Sequence, residues 1–380
     1  MPNIPHNKHM KTVAFVIGTR PEAIKLLPMV VTMQAQFSHE FTPLVISTGQ
    51  HQAVLNDVFQ LFNIRPNITL TVDRSSPRLS SLQGQLVQAL EAVFESEQRP
   101  NIVVVQGDTM STLCGAMAAF YQRIPVAHVE AGLRSGSLMA PFPEEANRKM
   151  VTQLATWHFT PTKKATNTLK SEGIVENVYD VGNTVIDALM QVEKGVLKGN
   201  HDDHPYIAQH KKNRKMILIT VHRRENWGKG VQNVMFAVKQ LLNNDETLNI
   251  VWLTHPNPTI EQQVQDTLGH LAHVYIYPSA NYVELVQLMR LSTIILTDSG
   301  GIQEEAPSLN KPVLVAREVT ERMEGVKAGC AKLVGVDPKK IVQHASELLA
   351  SKDRYTKMTS IKNPYGDGTA SQQILSVLAG

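Results

Sequence analysis

The chain is short of several things, and each shortage removes a class of protein. It holds only two cysteines in 380 residues, Cys114 and Cys330. They lie far apart and outside any CxxC or zinc-ligand spacing, which argues against a disulfide framework and points to buried thiols in a reducing compartment. Charge of one sign is also missing: 37 Lys and Arg nearly balance 34 Asp and Glu, for a formal charge of +3. Without a long basic block there is no arm for nucleic acid and no polybasic membrane surface, so local basic groups suit a small anionic ligand instead. No apolar run reaches membrane-spanning length, and the opening MPNIPHNKHM is too polar for a signal peptide. The resulting expectation is a cytoplasmic protein with no nucleic-acid partner and no membrane insertion. Residues 1–10 are expected to be a disordered extension, with ordered structure from about Lys11.

What is present is alternation. Short Val- and Ile-rich runs are separated by longer amphipathic segments, the pattern of a parallel sheet built from βαβ units. Strands are expected at Thr12–Ile17, Leu44–Ser47, Ile102–Val105 and Pro125–Val129, and again at Met216–Val221, Asn249–Leu253, Val274–Tyr277, Thr293–Thr297 and Pro312–Val315. A chain of this length exceeds what one core usually serves. The expected fold class is therefore α/β, with two Rossmann-like domains facing a central cleft. Boundaries are expected at 11–185 for the first domain and 186–363 for the second, with a C-terminal helix in 364–380 returning to the first. The polar stretch from about Gly195 to Lys215 reads as a surface segment near the boundary.

In doubly wound sheets, ligands bind beyond the carboxyl ends of the strands, so polar residues there are the informative ones. Gly18-Thr19-Arg20-Pro21-Glu22 follows the first strand: the glycine permits a tight turn and the proline suits a first helical turn. Arg20 and Lys25 would add charge to that helix N-terminus and favour a phosphate or sugar, although a plain helix cap explains the motif equally well. Asp108 follows the third expected strand and Glu130 the fourth, while Glu144 stands a little further on with Arg148 one helical turn after it. Carboxylates sharing a partly apolar cleft acquire different pKa values, which supplies an acid and a base. Taken singly, each reads equally as a cap or ion-pair partner. A divalent-metal site is the weaker alternative, with no His or Cys cluster nearby.

In the second half, His222 ends the strand Met216–Val221 and can donate to a leaving phosphate oxygen. The run Thr297–Pro307 reads as strand, hydroxyl, two glycines, helix. The amides of Ser299, Gly300 and Gly301 would cradle a diphosphate, Glu305 would reach ribose hydroxyls, and Arg322 offers another phosphate contact. His201 and His204 are read as a solvated loop, not metal ligands.

Taken together, GTRPEAIK (Gly18–Lys25), QGDTMST (Gln106–Thr112), HVEAGLRS (His128–Ser135), PEEANR (Pro143–Arg148), GNTVIDAL (Gly182–Leu189), HRREN (His222–Asn226), TDSGGIQEEAPSL (Thr297–Leu309) and NPYGDG (Asn363–Gly368) resemble the non-hydrolysing UDP-N-acetylglucosamine 2-epimerases. The resemblance spans nearly the whole chain. It implies a glycosyltransferase-B-like fold, a homodimer, and reversible conversion of UDP-GlcNAc to UDP-ManNAc through a 2-acetamidoglucal, without NAD or metal. It also implies catalytic roles for Asp108, Glu130, Glu144, Arg148 and His222, and nucleotide-sugar contacts for Arg20, Lys25, Ser299, Gly300, Gly301, Glu305 and Arg322. The chain departs from its relatives at Phe142, Val221 and Met323, where Trp, Gly and Pro are usual, and at Gln50-His51-Gln52-Ala53, where Gln-His-Arg is usual. A glycosyltransferase of the same fold is the main alternative, because fold does not fix function.

Overall fold

The computed structural model describes residues 10–49, 52–73, 75–197, 214–254, 257–278 and 280–380. Nearly all of the expected N-terminal extension, the Gln50-His51 pair, and His201 and His204 lie outside the described residues. The chain forms two compact units. The first runs to Ala188 and takes back Gly366–Gly380, and the second is Leu189–Tyr365.

In the first unit, strands β1 (Lys11–Ile17), β2 (Phe41–Ser47), β3 (Ile68–Thr69), β4 (Ile102–Gln106), β5 (Val126–Val129), β6 (Trp157–Thr160) and β7 (Val178–Asp180) make one sheet in the order β3-β2-β1-β4-β5-β6-β7. Every neighbouring pair is parallel. Val13 to Ile17 are fully buried, which is why β1 is apolar without alternation: helices cover both faces of the sheet. The helix Met110–Tyr121 is rich in small residues and buries most of its surface against the sheet and its neighbours. The last helix, Ala370–Ala379, packs on helix Arg20–Gln36 and buries Ile374, Leu375 and Leu378. Asp187 caps it from a distance, accepting the amides of Ser371 at 2.7 Å and Ala370 at 3.3 Å.

In the second unit, β8 (Met216–Thr220), β9 (Asn249–Leu253), β10 (Val274–Tyr277), β11 (Ile294–Thr297), β12 (Val313–Val315) and β13 (Ala331–Leu333) pair in the order β10-β9-β8-β11-β12-β13, again all parallel. Its core gathers Ile217, Ile219, Trp252, Ile294 and Leu296 from the sheet with Val234, Val238 and Ile341 from helices.

The two sheets share one winding. The first strand of each lies centrally, the next two add on one side, and the rest add on the other. The order therefore reverses between β1 and β4 and between β8 and β11. Connections leave those strand pairs in opposite directions and open a crevice at their carboxyl ends, where an α/β sheet takes its ligand. This is the expected α/β class. Strands β3, β6, β7 and β13 are additions to the expected set; each is short or carries polar residues, which hides its strand pattern.

Candidate active site

In the first unit the site begins at the turn after β1. A Cβ on Gly18 would lie 1.9 Å from Ser111 Oγ and 2.5 Å from Thr48 Oγ1, so no side chain fits there. The turn feeds helix Arg20–Gln36, with Thr19 as N-cap and a proline in the first turn. Glu22 lies inside that turn and is buried. Its Oε2 accepts the amides of Gly18 at 2.8 Å and Thr19 at 2.6 Å, while Oε1 takes the hydroxyl of Thr112 at 2.9 Å and that of Thr109. One carboxyl thus joins the loop after β1 to the loop after β4. Burial raises its pKa above the usual carboxylate value, against the pull of those hydrogen bonds.

Four sequence-predicted residues, Asp108, Glu130, Arg148 and Lys25, meet around the ends of β4 and β5. Asp108 follows Gly107, whose φ is +75°, and Glu130 itself sits at φ +64°, an uncommon conformation for a residue with a side chain. Arg148 pairs with Asp108, and Lys25 pairs with Glu130. Gln106 Nε2 donates to Glu130 at 3.1 Å, and Asn147 Nδ2 holds the Asp108 carbonyl at 2.8 Å. Desolvation pushes the Asp108 pKa up; Arg148 and Lys25 oppose the shift and the negative charge of Glu130 adds to it. The two carboxylates therefore sense one another. Below them, buried His128 donates from Nε2 to the Gly107 carbonyl at 2.8 Å, and desolvation lowers its pKa to about 4, so the ring is neutral at ordinary pH.

Other predicted residues are placed differently. Arg148 bonds not to Glu144 but to Glu145 at 2.9 Å, three positions before it. Glu145 is fully buried and also accepts the Ser135 amide at 3.0 Å. Its desolvation is outweighed by those partners, which hold its carboxyl below the usual range. Glu144 is partly buried, with Oε2 enclosed and no hydrogen-bond partner among the described residues. Arg20 stands half-exposed at the helix mouth. Phe142, just before this acidic segment, is 59% exposed, whereas Val221, just before His222, is fully buried.

In the second unit the organising group is Asp298, fully buried at the end of β11. Its Oδ2 accepts the amides of His222 at 3.0 Å and Arg223 at 2.9 Å and the side chain of Asn226 at 2.8 Å. The loop after β8 is thereby fixed to the loop after β11. His222 Nδ1 lies 3.8 Å from Asp298 Oδ1, with its ring 40% exposed. Ser299 occupies the N-cap position of the short helix Gly300–Glu305. The Arg322 guanidinium packs beside Gly300, where a Cβ would stand 3.4 Å from Arg322 Cζ, at van der Waals contact. Arg322 Nε donates to buried Glu304 at 2.8 Å. Glu305 is buried and takes the Tyr282 hydroxyl. The NPYG segment braces all of this: Asn363 donates to the Glu304 carbonyl at 2.8 Å, and Tyr365 donates to the Arg322 carbonyl at 2.9 Å.

The sequence reading passed over Glu22, His128, Glu145, Asp298 and Tyr282 as functional parts. All but Tyr282 lay inside a quoted motif. For His128 and Asp298 the signal available was a titratable group within or directly after an apolar run, which has to be partnered if it is buried. Among the described residues, no group of three or more His, Cys, Asp or Glu is arranged to hold a metal ion. Both cysteines are buried, and desolvation raises the Cys114 thiol to about 12 and the Cys330 thiol to about 11.

Residues 34–379 match the family model described as UDP-N-acetylglucosamine 2-epimerase. The chain is similar to the UDP-N-acetylglucosamine 2-epimerase of Escherichia coli K12, at 42% identity over 370 residues, 96% of this chain and 97% of that protein. Among solved structures, it superposes on the Neisseria meningitidis UDP-GlcNAc 2-epimerase bound to UDP-GlcNAc with a TM-score of 0.83 at 41% identity, covering 97% of this chain and 99% of that one. It superposes on the S. aureus MnaA–UDP complex with a TM-score of 0.84 at 40% identity, covering 97% and 96%.

Proposed function

The chain belongs to the UDP-N-acetylglucosamine 2-epimerase family, and on that premise we propose that it interconverts UDP-GlcNAc and UDP-ManNAc by inverting C2. The observation that supports this most is the Asp108–Glu130 pair: two carboxyl groups that sense one another in unequal surroundings, one desolvated beside Arg148 and one against Lys25. Such a pair suits proton removal and return at one carbon. Glu144, with an enclosed and unpartnered oxygen, is the third group of this acid–base set.

The steps balance without an oxidant. A carboxylate takes the C2 proton, the C2–H electrons form the C1=C2 bond of a 2-acetamidoglucal, and the C1–O electrons leave with UDP. UDP then adds back at C1 as a proton is delivered to the other face of C2. The C2 proton is weakly acidic, so the base has to be positioned before the step begins. In this reading Ser299, Gly300, Gly301, Glu305 and Arg322 hold UDP, His222 donates to the departing diphosphate, and Arg20 and Lys25 contact the nucleotide sugar. The enzyme would act in the cytoplasm as a homodimer and supply ManNAc-type sugars for surface polysaccharide.

The test is turnover of UDP-GlcNAc in heavy water. The expected product is UDP-ManNAc carrying deuterium at C2. Free ManNAc as the main product would identify a hydrolysing enzyme instead, and a folded sample without C2 exchange would end the proposal. Asp108→Asn, Glu130→Gln and Glu144→Gln are each expected to lower kcat by roughly a hundredfold or more while leaving UDP affinity within a few-fold.

A further inference from the structure

Glu321 stands where three guanidinium groups converge. Its Oε2 lies 2.7 Å from Arg317 Nη1, and its Oε1 lies 3.1 Å from Arg322 Nη1 and 3.5 Å from Arg223 Nη2. The glutamate side chain is 44% exposed, whereas those of Arg317 and Arg322 are 12% and 20% exposed. Two of the arginines have a second carboxylate. Arg322 is gripped by Glu304, whose side chain is 5% exposed, and Arg317 pairs with Glu225 at 3.2 Å.

The cluster is built into the second unit's strand ends. Arg223 is fixed through its backbone amide to Asp298, one residue before Ser299. Arg322 lies against Gly300, and its carbonyl is tied down by Tyr365. Three converging arginines, two of them held by a second carboxylate, around one outward carboxylate form a receptor for an anion with several oxygens, because guanidinium forks match phosphate as they match carboxylate. The carboxylate is also the group that can leave: it is the most exposed member at 44%, on a flexible side chain, while Arg317 and Arg322 are held from behind by second carboxylates and Arg223, 35% exposed, is anchored through its backbone.

We propose that Arg223, Arg317 and Arg322 form a phosphate subsite in which the Glu321 carboxylate is the resident anion, displaced when a diphosphate binds. The inference rests on the reading that Arg322 and the Ser299–Gly301 turn meet the diphosphate of a UDP-sugar, and it adds two arginines and a built-in competitor to that site. Glu321 keeps the guanidinium groups in place without ligand and weakens diphosphate binding by the ion pairs that must be given up.

The experiment is titration calorimetry of UDP, inorganic pyrophosphate and uridine with the full chain and with Glu321→Gln. The variant is expected to bind UDP and pyrophosphate roughly three- to tenfold tighter, the scale of one to two partly exposed ion pairs, with uridine unchanged. Glu321→Asp, one methylene shorter, is expected to shift affinity in the same direction by less, and it serves if the glutamine variant does not fold. Arg223→Gln is expected to weaken UDP and pyrophosphate while sparing uridine. A Glu321→Gln protein that binds UDP no tighter than the parent, or that gains equally for uridine, overturns the competitor role and leaves the UDP site standing. A parent chain that binds no UDP overturns both.

Discussion

Glu22 sits in the first turn of a helix, yet its carboxyl group is bonded to two amides on one loop and two hydroxyls on another. Removing it takes an acceptor from the Gly18 and Thr19 amides and the Thr109 hydroxyl, while Thr112 keeps the Gln106 carbonyl at 2.6 Å, and each buried donor left unsatisfied is costly. Glu22→Ala is therefore expected to lower unfolding free energy by about 2–4 kcal/mol, read from urea midpoints at constant slope, with Glu22→Gln milder because the amide keeps the shape and part of the bonding. His128 and His158, opposite one another on β5 and β6, make a second residue-scale case. Desolvation takes both from an ordinary 6.5 to about 4, with Arg134 adding to the effect at each and His158 to that at His128. Between those values the unfolded chain binds two protons that the native state refuses, so the two rings destabilise the fold as pH falls from 6.5 toward 4 and have no effect above that window. Burial of Glu22, Asp108 and Asp187 acts with the opposite sign as pH rises through the carboxylate range, so bulk stability mixes the two effects. Ring resonances of His128 and His158 in an NMR titration separate them. Neither is expected to titrate above about pH 5, and a transition near 6.5 at either would contradict the burial argument.

At the scale of elements, the C-terminal helix shows what local pattern can and cannot convey. Its apolar stripe was legible in the sequence. Its cap was not, because the capping carboxylate is Asp187, more than 180 positions earlier. Asp187→Ala is expected to cost about 1–2 kcal/mol and to speed amide exchange along Ala370–Ala379 ahead of the central strands; Asn in its place keeps an accepting oxygen and should cost less. The same division runs through the rest. Asn249–Leu253 was legible because both faces are covered and apolar composition marks it, and Val274–Tyr277, half-buried at the sheet edge, because β-branched and aromatic residues mark it. β6, with the sequence WHFT, was not: its histidine is tolerated only as a neutral buried ring, a property of the surroundings and not of the string. In the site, Asp108, Glu130 and His222 were legible as polar residues ending apolar strands. Arg148 was read with Glu144 and in fact meets Glu145 and Asp108, because positions three and four apart share a helix face and only packing chooses between them.

For the molecule as a whole, each unit has its own parallel sheet and its own core, and the chain enters the second unit within helix Thr184–Leu197 and returns to the first at Gly366. Units with separate cores need not unfold together, and a ligand stabilises the one that holds it. If UDP is bound by Ser299–Gly301, Glu305 and Arg322, saturation should act first on Leu189–Tyr365. At a hundred times Kd the gain is roughly 2.7 kcal/mol for that unit. Hydrogen exchange with and without UDP is the direct measurement. Protection is expected at the ends of β8 and β11, where Asp298 ties the two loops together, and through the β8 to β13 sheet, whose amides should slow as its unfolding becomes less frequent. The sheet of the first unit should change less, because its acids are assigned to the hexosamine, which UDP lacks. Protection confined to β1, β4 and β5 would reverse the assignment of nucleotide and sugar between the units, while leaving the family intact.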